Sequence, residues 1–242
     1  MDNYLDLMRA RREQILERFY AALDRAGRPH DAARLIAVSK TVGVDETVAA
    51  IQAGYRHFAE NRPQELVRKL TGLAEHPELP EVRFDMIGNL QTNKIKKVLG
   101  RASLIQSVDS EHLLAAIERE AAKAGLVQNI LLEVNIGGEE SKSGVSPEQL
   151  WPLLDAAAAQ EHLRVCGLMA IPPVNDDDAQ NRAYLAAVHK LFVQAGERGY
   201  ANVKMETLSM GMSGDYENAI REGATLVRIG TAIYGERDYS KK

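Results

Sequence analysis

Hydrophobic positions recur at helical spacing near the start of the chain and then give way to short apolar runs. Met8, Ile15 and Phe19 share one face of a predicted helix over residues 2–26. Eight apolar runs follow and predict strands, at residues 35–38, 57–59, 82–87, 103–106, 129–134, 163–168, 207–208 and 225–229. Seven helical stretches lie between these runs, at residues 44–53, 63–70, 93–99, 111–124, 147–159, 179–197 and 216–222.

Strand and helix predictions alternate through most of the chain. Such alternation is typical of a parallel sheet covered by helices, because parallel strands need crossover connections. Eight units over about 200 residues fit the lower end of the size range of a (β/α)8 barrel. We therefore predict an α/β fold of the TIM-barrel type in a single domain, residues 1–242, with residues 1–27 packed on the barrel as an extra helix. A doubly wound open sheet is the alternative.

Composition narrows the class of protein. The 242 residues are 45% hydrophobic but only 5% aromatic, so we expect a core of Ala, Val, Ile and Leu. The net charge of −4 argues against nucleic-acid binding, and no apolar run is long enough to span a membrane. Cys166 is the one cysteine and the six histidines are scattered, so neither an intrachain disulfide nor a metal site is expected. The start lacks the apolar segment of a signal peptide, which predicts a cytoplasmic protein.

The first predicted strand ends in a candidate reactive lysine. Chemistry in a (β/α)8 barrel is concentrated where the strands end and the following loops begin. Lys40 occupies that position, directly after Val38-Ser39. Partial burial favours the neutral amine, and a neutral lysine amine can act as a base or form a Schiff base with an aldehyde. The alternative interpretation is a solvated lysine at a strand end.

Two loops near the end of the chain carry weak signals of anion binding. Residues 209–215, Ser-Met-Gly-Met-Ser-Gly-Asp, supply glycines that let backbone N–H groups approach an anion, and hydroxyls that add donors. The eighth strand ends in Arg228-Ile229, and Gly230 with Thr231 begins another helical turn. Loops 7 and 8 form the common phosphate site of such barrels, although each segment also fits an ordinary turn. Beside a lysine on the adjacent strand, they suggest a phosphorylated aldehyde as the ligand.

Eight segments spread over nearly the whole chain match one known family. They are LIAVSKT from Leu35, FAENRPQE from Phe58, MIGNLQTNK from Met86, SVDS from Ser107, VNIGGEESKSG from Val134, GLMAIPP from Gly167, LSMGMSGDYENAI from Leu208 and VRIGTAIYG from Val227. In this combination the chain resembles the pyridoxal 5′-phosphate (PLP) homeostasis proteins, the YggS/PROSC-like family. The resemblance implies a PLP-binding (β/α)8 barrel like the N-terminal domain of alanine racemase, PLP fold type III.

The resemblance also implies roles for individual residues. It places the PLP Schiff base on Lys40, Arg228 at the pyridine nitrogen and Asn61 near the ring. The implied phosphate contacts are Ser209, Gly211 and Ser213 from loop 7, with Gly230 and Thr231 from loop 8. Lys142 matches a family lysine at the rim of the site.

Two positions depart from the family's pattern. Family members usually have Gly where Ala59 stands, and often His where Asp85 stands. Because Asp85 could alter contacts at the barrel mouth, no ligand role is carried over to it. Neither departure touches the lysine or the phosphate loops.

The resemblance leaves a carrier and an enzyme as alternatives. A carrier would hold PLP reversibly on Lys40, take part in intracellular PLP (vitamin B6) homeostasis, and buffer the cofactor or deliver it to PLP-dependent apo-enzymes. An amino-acid racemase is the second alternative. An arginine at the ring nitrogen donates a hydrogen bond without giving up its proton, so the ring is a poorer electron sink than one paired with aspartate. This pairing disfavours transamination and fits either alternative.

The length of the chain favours the carrier. Two-base racemisation in the alanine racemase family uses a tyrosine from an added C-terminal domain, whereas only residues 236–242 follow the last helical turn here. We therefore expect no catalytic activity, and a monomer, since a site within one barrel needs no partner. A Schiff-base aldolase is a third possibility, which the strand-1 position of Lys40 and the family match disfavour.

Overall fold

Eight parallel strands form a closed barrel in a computed structural model, which describes residues 2–139, 141–174 and 177–236. The strands pair in chain order, and the eighth closes against the first. They are β1 (Arg34–Val38), β2 (His57–Glu60), β3 (Arg83–Met86), β4 (Leu104–Val108), β5 (Gln128–Val134), β6 (Leu163–Ala170), β7 (Val203–Met212) and β8 (Leu226–Ile229). The predicted fold class is confirmed, and the open-sheet alternative is wrong.

Helices connect the strands and cover the outside of the barrel. They are α1 (Asp2–Arg25), α2 (Val44–Gln52), α3 (Pro63–Leu73), α4 (Ile95–Val98), α5 (Glu111–Ala124), α6 (Leu150–Ala158), α7 (Asp178–Gly196), α8 (Tyr216–Arg221) and α9 (Thr231–Tyr234). A 3-10 turn, Thr92–Lys94, precedes α4. Each predicted helix is present, and α9 is the helical turn expected at Gly230 and Thr231. None of the helices in the described ranges is long and apolar enough to cross a membrane.

The two faces of the barrel sheet differ in composition. Residues in register on neighbouring strands share a face of the sheet. Phe58 of β2 and Leu66 of α3 belong to the large apolar core between strands and helices. On the opposite face, Ile36, Val38 and Leu226 belong to a small separate cluster inside the barrel, the lumen. Most hydrophobic packing is therefore outside the barrel, and the lumen has room for polar side chains.

Helix α1 is tied to the last elements of the chain. Arg11 donates to the carbonyl of Ile233 at 3.0 Å, next to the loop that follows β8. Arg18 forms an ion pair of 2.5 Å with Glu217 of α8. These contacts place the extra N-terminal helix on the side of the barrel formed by β8 and β1.

Strand β7 is much longer than its two-residue prediction. Its first half alternates exposed Lys204 and Glu206 with half-buried Val203 and Met205. An apolar run therefore exists only in the second half, which is fully buried up to Gly211. A search for continuous apolar runs misses such a strand, whereas a search for period-two alternation finds it.

Candidate functional site

Lys40 lies just beyond the end of β1 and is half-buried. The preceding residue, Ser39, is fully buried and its hydroxyl donates to Glu60 at 2.6 Å, outside the barrel. Lys40 itself lies in a turn directly after β1, in which the Val42 N–H donates to the Ser39 carbonyl at 3.2 Å. The next residue, Thr41, has φ of 69°, in the left-handed region that β-branched residues rarely adopt. Such strain is concentrated at functional sites, and here it adjoins the predicted reactive lysine.

A second lysine is buried directly behind this position. Lys69 of α3 is fully buried, contacts the Glu60 carboxylate and donates to the backbone carbonyl of Ser39 at 2.5 Å. Burial lowers the pKa of Lys69, while the Glu60 charge opposes that shift. This cluster fixes the chain immediately before Lys40 and keeps the Lys69 amine away from the mouth.

Arg228 lies in the middle of β8 and reaches across the lumen. Its register partner on β1 is Ile36, one of the lumen residues, and only 3% of Arg228 is exposed. Its guanidinium donates to the Ser209 hydroxyl at 2.7 Å and to the Ala170 carbonyl at 2.9 Å. Burial lowers the pKa of Arg228 to about 10, partly offset by Asp215 and Glu133. The side chain is therefore charged at neutral pH and has further N–H donors to offer.

Ser209 lies inside strand β7 and not in the loop that follows it. It is fully buried in β7, where its hydroxyl accepts from Arg228 and donates to Gln106 at 2.7 Å. Both roles of the hydroxyl are thus used within the protein. In this structure Ser209 holds Arg228, and its contact with a phosphate stays a prediction.

Ser213 and Gly230 join the two loops that were predicted to bind an anion. The Ser213 hydroxyl accepts from the backbone N–H of Gly230 at 3.2 Å and from that of Ala232 at 3.3 Å. Gly211 has φ of 90°, and a Cβ there would lie 2.4 Å from the Ala219 Cβ, so only glycine fits. Thr231 begins α9 and is exposed. Two backbone N–H groups after β8 therefore converge on the Ser213 oxygen, and the role of this cluster in binding an anion stays a prediction.

Asn61 follows β2 and is half-buried at the neighbouring strand end. The loop after β3 touches its backbone, because a Cβ on Gly88 would lie only 2.1 Å from the Asn61 carbonyl oxygen. At the far rim, Lys142 is exposed, and the Asn135 side-chain amide donates to its carbonyl at 3.3 Å. The structure thus places Asn61 close to β1, and Lys142 on a surface loop after β5.

Glu133 faces the lumen and was not a predicted site residue. It pairs in register with Met169, which in turn pairs with Ser209. Burial and the Asp109 charge raise the pKa of Glu133 to about 7, against the lowering effect of Arg228. The available signal was a charged residue between the apolar neighbours Leu132 and Val134, the same pattern that surrounds Arg228.

The predicted residues come together on adjacent strands. Because β1 pairs with both β2 and β8, Lys40, Asn61 and the residues after β8 lie along one continuous rim. The rim combines a half-buried amine with backbone donors, and a buried cation lies between them in the lumen. This arrangement can hold a small anionic ligand and present its carbonyl group to an amine.

Comparison with known proteins gives consistent matches over nearly the full chain. The family model described as alanine racemase, N-terminal domain, matches residues 13–238. A pyridoxal phosphate homeostasis protein of Aquifex aeolicus is 41% identical, covering 95% of this chain and 98% of the relative. The protein of the same name from Vibrio cholerae is 39% identical, covering 95% of this chain and 96% of the relative.

Solved structures agree with this match. A protein of unknown function from Bifidobacterium adolescentis superposes with a TM-score of 0.91 at 37% identity, covering 97% of both chains. PipY of Synechococcus elongatus with PLP bound gives a TM-score of 0.76 at 32% identity, covering 91% of this chain and all of PipY. Alanine racemase of Streptomyces lavendulae gives 0.75 at 21% identity, covering 96% of this chain and 58% of the racemase, which shows a shared fold alone. The chain belongs to the pyridoxal phosphate homeostasis protein family.

Proposed function

We propose that the protein binds PLP through Lys40 as a Schiff base and serves as a reversible carrier of the cofactor. The observation that carries this proposal is the rim of β8, β1 and β2, where the half-buried Lys40 follows β1 and the Ser213–Gly230 contact lies at the end of the neighbouring β8. The PLP-bound structure of PipY, at 32% identity, supports the same ligand. When bound, PLP supplies a reactive aldehyde, and the protein supplies the amine that keeps it out of solution.

Each end of the cofactor has a matching group in this chain. We assign the phosphate to Ser213 and to the loop around Gly211, Gly230 and Thr231, because donors converge there. We assign Arg228 to the ring nitrogen, since its charge persists at neutral pH and it cannot protonate the ring. Asn61 would lie near the ring, and Ser209 would act on the cofactor through Arg228.

The carrier role goes beyond binding. We propose that the protein buffers PLP in the cytoplasm and delivers it to PLP-dependent apo-enzymes, as a monomer and without catalysing a reaction of its own. The relatives of 41% and 39% identity are named as homeostasis proteins. The alanine racemases are only 14–21% identical to this chain in sequence. The likeness therefore concerns the fold and does not favour racemase activity.

The central test is to map the lysine that carries PLP. The protein is incubated with PLP, reduced with borohydride, digested and examined by mass spectrometry. We expect the pyridoxyl group on Lys40, loss of the yellow colour in Lys40→Ala, and retention of the colour in the matched control Lys190→Ala, an exposed position on α7. A trapped group on any other lysine, with Lys40 unmodified, would refute the proposal.

The proposal that the protein catalyses no reaction is tested by a separate measurement. The PLP-loaded protein is assayed for racemisation over all proteinogenic amino acids, with an alanine racemase as the positive control. We expect no turnover above that of free PLP. Turnover that disappears in Lys40→Ala would make the protein an enzyme.

A further inference from the structure

A continuous chain of hydrogen bonds crosses the lumen from β8 to β3. Arg228 donates to Ser209, Ser209 donates to the Gln106 side-chain oxygen, and the Gln106 amide nitrogen donates to Asp85. Each of the three donor–acceptor distances is 2.7 Å. All four side chains are buried, and none is more than 3% exposed. Since four strands contribute one residue each, the chain exists only in the closed barrel.

The two ends of this chain fix its direction. An arginine can only donate hydrogen bonds and a carboxylate can only accept them, whereas a serine and a glutamine can do both. Because Ser209 accepts from Arg228, its own hydrogen must point onward to Gln106. Because Asp85 accepts, the Gln106 amide must turn its nitrogen to Asp85 and its oxygen to Ser209. Arg228 and the Asp85 carboxylate together thus fix the orientation of the two groups between them, and Asp85 excludes the flipped amide of Gln106.

The two oxygens of the Asp85 side chain have different surroundings. Its second carboxylate oxygen, Oδ1, is buried without a hydrogen-bond partner among the described residues. Its first, Oδ2, also lies 2.9 Å from Nε2 of His57, and Nδ1 of that histidine meets the Arg83 guanidinium at 3.2 Å. A buried acceptor without a partner costs about 1–3 kcal/mol in general. An asparagine side chain of the same shape can also donate, so it would not fix the direction of the hydrogen bonds.

We propose that Asp85 is a positioning residue for the cofactor, which aims the Arg228 guanidinium at the ring nitrogen by fixing the sense of the Ser209–Gln106 hydrogen bonds. The inference rests on the proposed binding of PLP with Arg228 at that nitrogen. Asp85 is linked to Arg228 through Gln106 and Ser209. Its effect is therefore expected to depend on whether the ligand has a ring nitrogen to receive the guanidinium.

The substitution Asp85→Asn tests the direction of the hydrogen bonds across the lumen, because it hardly changes the volume of the side chain. An asparagine can donate as well as accept, so Gln106 can rotate and present its nitrogen to Ser209. The serine oxygen can then accept from both Gln106 and Arg228, so its hydrogen loses its acceptor and the Arg228–Ser209 contact is no longer held in one geometry. We expect the dissociation constant for PLP to rise about fivefold, the factor that corresponds to one net hydrogen bond, with a shift of the visible absorption band.

A carbocyclic analogue of PLP, with C–H in place of the ring nitrogen, separates positioning from structure. For this analogue we expect Asp85→Asn and the parent protein to bind equally within about twofold, since no ring nitrogen receives the guanidinium. An equal loss of affinity for both ligands would mean that Asp85 has only a structural role. An unchanged affinity for PLP would also overturn the proposal. Failure of the parent protein to form the Lys40 adduct would instead refute the proposed function.

Ser209→Ala provides the second variant, because it cuts the same chain at its centre. We expect it to weaken the binding of PLP more than the binding of the analogue, as Asp85→Asn does. The double variant should then be no weaker than Ser209→Ala alone, since Asp85 has nothing left to orient. Additive losses in the double variant would show two independent sites and contradict the proposal, and Ser209→Ala also decides the case if Asp85→Asn fails to fold.

Discussion

The Ser213 hydroxyl accepts a hydrogen bond from the backbone N–H of Gly230 at 3.2 Å, so that loops 7 and 8 meet at one point. The contact joins a side chain that follows β7 to the first residue after β8. Since the N–H of Ala232 donates to the same oxygen, two backbone donors after β8 hold the Ser213 hydroxyl in place.

Ser213→Ala tests the phosphate assignment. We expect about a tenfold weaker affinity for PLP, because a hydrogen bond to a charged group contributes about 1.5–3 kcal/mol. Pyridoxal, which lacks the phosphate, should bind the variant and the parent protein alike. The measurement is a titration of both ligands followed by absorbance. An equal loss for PLP and pyridoxal would place the phosphate elsewhere.

Arg228→Lys tests the role of the guanidinium while keeping a positive charge. A lysine is a point donor and cannot replace the fork that contacts both Ser209 and Ala170. We expect weaker PLP binding and a shifted visible band, with a larger effect for Arg228→Ala, which also leaves a cavity in the lumen. Thermal unfolding of the ligand-free variants separates loss of fold from loss of binding. An unchanged band and affinity in both variants would rule out a contact with the ring nitrogen.

Glu133 predicts a specific dependence of stability on pH. Its pKa is raised from 4.5 to about 7 by burial, so the folded state keeps a proton that the unfolded state loses. The free energy of unfolding therefore falls as pH rises from about 4.5 to about 7, and stays low above that range. Glu133→Gln removes this titration and should be more stable than the parent protein above about pH 7, by at most about 3 kcal/mol.

Urea unfolding at about pH 5 and about pH 8 measures the effect, since the two proteins should differ little at the lower value. The exposed Glu13→Gln serves as the matched control and should change neither curve. A difference between the two proteins that does not grow with pH would contradict the assignment.

Lys69→Met should strongly destabilise the protein. The substitution leaves the fully buried Glu60 without its cation, and breaking a buried pair costs about 3–5 kcal/mol. Adding Glu60→Gln should recover much of that loss, because no uncompensated charge remains. The free energies of unfolding of both variants, from urea titration, provide the test. A single variant that differs from the parent by less than about 1 kcal/mol would show that the pair contributes little.

The fold could be predicted from the sequence because each unit carries its own local pattern. Helix α5 matches its predicted bounds, 111–124, with Ser110 as its N-cap and Gly125 in the left-handed conformation at its end. Strand β7 is underestimated because its first half is only half-buried. Local periodicity thus predicts which elements exist, whereas their lengths depend on what packs against them.

The chain of hydrogen bonds from Arg228 to Asp85 could not be predicted in the same way. Asp85 and Arg228 each stand between two apolar neighbours, so the sequence indicates two polar groups that face inward, whereas Gln106 is followed by Ser107 and lacks this signal. Their order across the barrel depends on the register of β3, β4, β7 and β8, which is fixed only when the barrel closes. For the same reason Ser209, placed by motif among the phosphate ligands, has its hydroxyl turned to Arg228 in the structure.

The separation of the small lumen cluster from the large outer core has a consequence for evolution. Because hydrophobic burial lies mostly between strands and helices, exchanging one lumen residue for another removes little of the stabilisation that keeps the chain folded. Selection can therefore alter the inner polar groups in small steps, each tolerated by the scaffold. Asp85, a buried lumen residue outside both hydrophobic clusters, is a position at which such a barrel can absorb a change.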